Sequence, residues 1–146
     1  MDRKNEREPL MIVEGLKKYY PVKGYGIKES KAMIRAVDGV DFTIYKGETL
    51  GIVGESGCGK STLGYQLVAL ERPTFGRILF DGQEISKMPE NKLRKFRTEI
   101  QMVFQDSNSS LNPRKQIYDI LAAPMLYHRI VTRENVDREI NRLLDL

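Results

Sequence analysis

Gly54-Glu55-Ser56-Gly57-Cys58-Gly59-Lys60-Ser61 decides the fold. The stretch fits G-x-x-x-x-G-K-[S/T] without a gap, and each residue type has a physical task. Gly54, Gly57 and Gly59 permit positive φ and let backbone N–H groups approach phosphate oxygens closely. Glu55, Ser56 and Cys58 complete the loop that cradles them. The Lys60 ammonium is placed to reach β- and γ-phosphates, the Ser61 hydroxyl to ligate Mg²⁺, and Thr62 to donate to an α-phosphate oxygen. Composition alone produces this pattern in roughly 1 in 200 chains of this size, so its surroundings decide.

Those surroundings fit. Thr49-Leu50-Gly51-Ile52-Val53 is an apolar run with no alternation, which predicts a strand buried on both faces, as in a parallel sheet. After the loop, Leu63, Leu67 and Leu70 fall at i, i+4 and i+7 and predict a helix over 60–70, ended by Arg72-Pro73. The start of that helix adds unpaired N–H groups and a dipole that favour an anion. The sequence therefore predicts a nucleotide-phosphate site. Cys58 reads as a small residue that fits the loop, with a redox role as the lesser reading.

Further out, Leu10–Tyr20 and Ile34–Tyr45 read as strands separated by a loop rich in Gly, Lys and Ser. Gly76–Ile85, GRILFDGQEI, reads as strand, Asp-Gly turn, strand. Pro89–Thr98 reads as a short basic helix and Glu99–Gln105, EIQMVFQ, as another strand. Asp106–Arg114 reads as a polar loop. Helices are predicted over 116–127, interrupted near Pro124, and over 133–146, with Thr132 as N-cap and Val136, Ile140, Leu143 and Leu144 on one face.

Composition bounds the rest. The 146 residues are 40% hydrophobic and 30% charged, which suits one globular domain rather than a disordered chain. No run of 18 apolar residues occurs, and Met1–Glu8 is charged with no apolar core, so neither a spanning segment nor a secretory signal is read. The net charge of +4 is mild, and the cluster Lys92, Arg94, Lys95, Arg97 is spaced around Leu93 and Phe96 like a solvated helix face. That points away from a nucleic-acid partner. One cysteine and one histidine, His128, allow neither a disulfide nor a Cys/His metal cluster, and the default compartment is cytoplasmic.

Taken together, certain residues carry a family resemblance. Ala36-Val37-Asp38-Gly39-Val40 precedes Gly47 to Leu63; Pro73-Thr74-Phe75-Gly76 follows, then Gln101-Met102-Val103-Phe104-Gln105-Asp106 and Ser109-Ser110-Leu111-Asn112-Pro113-Arg114. Over about residues 10–146 the chain resembles the ATP-binding cassette ATPases. Within them it is similar to the ATP-binding subunits of oligopeptide, dipeptide and nickel importers. The resemblance implies an α/β fold, the N-terminal part of a P-loop cassette: an antiparallel β subdomain, an incomplete RecA-like core and the start of the helical subdomain. A charged tail over 1–9, a core over 10–113 and helical subdomain over 114–146 follow from it.

The resemblance also implies roles. Gln105 is similar to the glutamine that senses Mg²⁺ and the γ-phosphate, and with Lys60 it forms the implied catalytic pair. Tyr20, with Tyr19 as the alternative, matches the aromatic that stacks on adenine. ATP and Mg²⁺ are the implied ligands, with Ser61 and Gln105 at the metal. A second ATP-binding subunit, membrane permease subunits docked at 105–120 and, indirectly, an extracytoplasmic solute-binding protein are the implied partners. The implied location is peripheral, on the cytoplasmic face of the membrane.

Departures count as well. No LSGGQ-type signature occurs, and Ile78-Leu79-Phe80-Asp81 mimics a Walker B strand only briefly before Gly82, too early in the chain. Family members are considerably longer, so the sequence reads as the N-terminal part of a subunit, inactive in hydrolysis by itself. The other readings are a truncated module that binds nucleotide without turnover, or another phosphate-loop class. A GTPase should show [N/T]-K-x-D, which is missing, and a small-molecule kinase should show an arginine-rich lid, which Ser109–Arg114 fits poorly.

Overall fold

The computed structural model describes residues 7–22, 32–104 and 111–145. They fall into two compact units, 1–93 and 94–146.

The first unit is built on one four-stranded sheet in the order β2-β1-β3-β4. β1 (Pro9–Pro21) and β2 (Met33–Tyr45) pair antiparallel over most of their length, with Val13 opposite Phe42 and Tyr20 opposite Ile34. β3 (Phe75–Phe80) pairs with the other edge of β1, Val13 opposite Ile78, and turns back into β4 (Gln83–Glu84). The Asp-Gly signal works as predicted: Asp81 at φ 45 and Gly82 at φ 73 supply the paired positive φ values of a tight hairpin. Asp81 is exposed and paired with Lys46 at 3.7 Å, a turn residue and not the end of a buried catalytic strand.

The core of this unit draws apolar side chains from three strands. Met11 and Val13 of β1, Val37 of β2, and Ile78 and Phe80 of β3 are buried, as are Leu16 and Ile85. Burying each such side chain is worth about 1.5–3 kcal/mol, so this sheet face dominates the unit's stability. α1 (Lys60–Leu67) packs on β2 and buries Leu63 and Gln66. It is shorter than predicted. The chain leaves the helix at Val68, Ala69 takes φ 52, and Leu70 is exposed rather than on a buried face. Both side-chain polar atoms of Gln66 are buried with no hydrogen-bond partner among the described residues.

Two predicted strands do not form. Residues 49–53 lie outside any strand, and Leu50, Ile52 and Val53 are exposed. Residues 99–104 likewise form no strand, with Val103 and Phe104 exposed. An apolar run becomes a strand only where another strand satisfies its backbone groups, and the sheet of the described residues has no position for either run. The basic segment is also not one helix. It breaks into α2 (Glu90–Leu93) and a 3₁₀ turn, Phe96–Thr98.

The second unit contains α3 (Ile117–Tyr127), which runs through Pro124, and α4 (Val136–Leu144). Ala122, Val136 and Ile140 form its buried centre, with Leu121, Met125, Leu126 and Val131 against it. Thr132 is not the N-cap of α4. The Asn135 carboxamide oxygen instead accepts from the Thr132 amide at 2.7 Å, which closes a turn over 132–135 and starts the helix later than predicted. Leu144 is exposed, so the apolar face is narrower than its sequence spacing suggested.

Candidate functional site

The loop between residues 54 and 59 is exposed along 54–58 and enters α1 at Gly59. Gly54, Gly57 and Gly59 take φ 158, 80 and 98, so all three glycines use the freedom read from the sequence. Gly54 is required for space: a Cβ there would meet Cys58 Sγ at 2.7 Å. Gly59 is required twice over, since its Cβ would lie 2.1 Å from the Ala36 carbonyl oxygen. That contact seats the loop directly on β2.

The first intrahelical bond of α1 runs from Leu63 N–H to Gly59 O at 2.9 Å. Gly59 offers no side-chain cap, and the first turn has no acidic residue. The amides of Lys60, Ser61 and Thr62 therefore have no acceptor among the described residues. Three donors and the positive end of the helix converge where an anion would sit. The Lys60 ammonium arches back over the loop and donates to the carbonyls of Gly54 at 2.7 Å and Glu55 at 2.6 Å, with Cys58 Sγ at 3.6 Å. The exposed Cys58 thiol is a free cysteine. These donors fit a polyphosphate. For Mg²⁺, the exposed Ser61 hydroxyl is the candidate ligand among the described residues, where no cluster of His, Cys, Asp or Glu could hold a metal.

The candidate tyrosines face different neighbours. Tyr20 donates its hydroxyl to Glu71, and its phenol is raised above the ordinary value first by burial and then by that carboxylate, with a Thr62 side-chain bond acting the other way. Tyr19 donates to Asp38 and stands edge-on to Phe75 with centroids 6.0 Å apart. Sequence reasoning missed Glu71 and its partner Lys18. Nothing local in the sequence announces a bond between residues 51 positions apart.

Gln105, Ser109 and Ser110 lie outside the described residues. Nearby, Leu111 is exposed and the Asn112 carboxamide accepts from the Arg114 amide at 3.0 Å.

A glycine loop seated on a strand, opening a helix whose first amides have no acceptor among the described residues, defines a phosphate-loop protein. Residues 37–145 match the family model described as ABC transporter, and the chain belongs to that family. It is 47% identical over 139 residues to the oligopeptide transport ATP-binding protein AppF of Bacillus subtilis (strain 168), covering 94% of this chain and 42% of that protein. It is 43% identical over 128 residues to the dipeptide transport ATP-binding protein DppF of Escherichia coli (strain K12), covering 88% of this chain and 38% of that one. The chain thus spans less than half the length of these relatives. Among solved structures, the dimeric ABC transporter cassette MJ0796 superposes with a TM-score of 0.73 at 22% identity, over 92% of this chain and 56% of that one. The cassette cbiO1 from Clostridium perfringens superposes with a TM-score of 0.66 at 25% identity, over 94% and 50%. The antiparallel sheet with helices described above is the N-terminal part of such a cassette. No helix among the described residues is long and apolar enough to cross a membrane.

Proposed function

We propose that this chain supplies the nucleotide-binding part of a subunit that energises ATP-dependent import of peptides, of the oligopeptide or dipeptide type, across the cytoplasmic membrane. The observation that carries the reading is the loop: the amides of Lys60, Ser61 and Thr62, without an acceptor among the described residues, stand at the head of α1, and the Lys60 ammonium folds back over the loop, in a chain 47% identical to an oligopeptide transport ATP-binding protein.

In this reading Gly54 to Thr62 hold the phosphates of ATP, the Tyr20 ring meets the adenine, and Ser61 with Gln105 would hold Mg²⁺. Bound Mg²⁺ would neutralise phosphate charge. Lys60 would give up the carbonyls of Gly54 and Glu55 for phosphate oxygens, a charge-assisted exchange that favours the ligand. Residues 10–113 are the core and 114–146 the start of the helical subdomain. A second ATP-binding subunit would complete the nucleotide site, and permease subunits would dock at 105–120. A solute-binding protein would act outside the membrane, with this chain peripheral on the cytoplasmic face.

A second reading rests on the exposure of Leu50, Ile52 and Val53: residues 1–146 bind nucleotide without turning it over. Two measurements on the purified protein separate the readings. ATP affinity with Mg²⁺ in wild type and Lys60→Ala tests the site, and unchanged affinity overturns it. ATP hydrolysis by the same sample tests turnover, and rates typical of a complete transporter ATPase remove the second reading. Crosslinks from Asn112 to a co-expressed membrane subunit support the docking surface; their consistent absence, with crosslinks formed elsewhere, refutes it.

A further inference from the structure

The end of β1 is tied to the segment that follows α1. Lys18 and Tyr20 share a face of the strand. The Tyr20 hydroxyl donates to both oxygens of Glu71, at 2.8 and 2.7 Å. Glu71 also pairs with the Lys18 ammonium at 3.1 Å. Lys18 in turn donates to the Arg72 carbonyl at 2.8 Å, and its ammonium stands 5.1 Å from the centroid of the Tyr20 ring. The Lys18 and Glu71 side chains are only 16% and 28% exposed, so solvent screens this group less than an ordinary surface pair. Burial and the carboxylate raise the phenol above its ordinary value of 10.0, so at neutral pH it remains a donor to Glu71.

We propose that Glu71 is a positioning residue: by holding the Tyr20 hydroxyl it fixes the ring, leaving the face opposite Lys18 presented to a planar purine base. The proposal rests on the reading of Tyr20 as the base contact. A tyrosine at a strand end next to a loop samples several rotamers, and ordering it when ligand binds costs side-chain entropy. A hydrogen bond to a carboxylate orders it beforehand. The Lys18 ammonium occupies one ring face, so a base would stack on the other.

The test compares ATP with tripolyphosphate, which carries the phosphates without the base, by calorimetric titration of the full chain with Mg²⁺. Glu71→Ala should weaken ATP by about 2- to 10-fold, the factor for immobilising one side chain, and leave tripolyphosphate unchanged. Tyr20→Phe keeps the ring and loses the hydroxyl, so it should match Glu71→Ala, and the double variant should lose no more than either. Glu71→Gln, whose carboxamide oxygen still accepts, should recover most of the loss and keeps the test usable if Glu71→Ala folds poorly. Equal loss for both ligands, or no loss for either, overturns the positioning role and leaves Glu71 as a staple between β1 and the end of α1. Tyr20→Ala separates the two levels. If it leaves the ATP-to-tripolyphosphate ratio at the wild-type value, the base-contact reading itself fails; if it lowers the ratio while Glu71→Ala does not, only the positioning role fails.

Discussion

β3 and the run 49–53 are both short and apolar, yet their environments are opposite. Ile78 in β3 is 0% exposed and Val53 is 93% exposed. The difference is in what each can pair with. β3 has β1 on one side and carries its own Asp-Gly turn to bring β4 to the other. Antiparallel neighbours of that kind form over short connections, whereas a strand suited to a parallel sheet waits for neighbours brought by long crossovers. Thr49–Val53 belongs to one unit and Glu99–Phe104 to the other, and neither is a strand. Apolar sequence supplies the tendency to be buried; partners decide whether burial happens.

The sharpest way to break this contrast is a pair of truncations. Ile78→Ala should cost about 2–5 kcal/mol, the range for emptying a filled core site. Val53→Ala should stay within about 0.5 kcal/mol, as for an exposed site without special contacts. Urea denaturation of the two variants beside wild type reads the difference. A loss in Val53→Ala comparable to that in Ile78→Ala would mean that the run is covered in solution.

The loop beyond Val53 extends the contrast from stability to binding. Lys60→Ala should weaken ATP with Mg²⁺ by about 2–4 kcal/mol, because a charged donor to phosphate is lost. The same change should leave the denaturation midpoint close to wild type, since the bonds of Lys60 to Gly54 and Glu55 lie in an exposed loop. A large stability loss with unchanged affinity would reverse the roles assigned to loop and sheet.

How much of this could be read in the sequence follows the range of the interactions. The Asp81-Gly82 hairpin, the first two strands and the loop's glycines are local signals, and the structure has them where they were read. Thr49–Val53 failed because a lack of alternation indicates the environment a segment is suited to, not whether that environment is present. Leu70 failed because the helix is unwound at Val68 and Ala69, beyond what leucine spacing specifies. The Tyr20–Glu71–Lys18 group was illegible because it closes across 51 residues, between side chains that are ordinary surface types when read singly.

Gly59 and Gly57 sharpen the comparison inside the loop. Both have positive φ, so alanine at either costs about 1–2 kcal/mol in backbone strain. At Gly57 nothing lies within 4 Å of the added Cβ, while at Gly59 the Ala36 carbonyl oxygen lies at 2.1 Å. Gly59→Ala should therefore lose clearly more stability than Gly57→Ala, because β2 and the head of α1 must part. Equal losses in thermal denaturation would show that the loop is not seated on β2.

The smallest effect concerns the charged rim of the sheet beside that seat. Asp38 accepts from the Tyr19 hydroxyl and pairs with Lys17 at 3.5 Å and Arg35 at 3.3 Å. The Tyr19 hydrogen bond, assisted by those cations and opposed by burial, holds its carboxyl below the ordinary value of 3.8. A carboxyl depressed in the folded state stabilises the fold fully above its unfolded value, and that contribution is lost as pH falls through the folded value. The contribution should therefore be intact at neutral pH and fade on acidification below the ordinary carboxylate range. It should be small and weakened by salt, because Asp38 is exposed. Tyr19→Phe removes the leading cause and Asp38→Asn removes the group, so both should flatten the acid side of a plot of denaturation midpoint against pH. If both variants fall in parallel with wild type between about pH 5 and pH 3, the acid sensitivity of the sheet arises at other carboxylates.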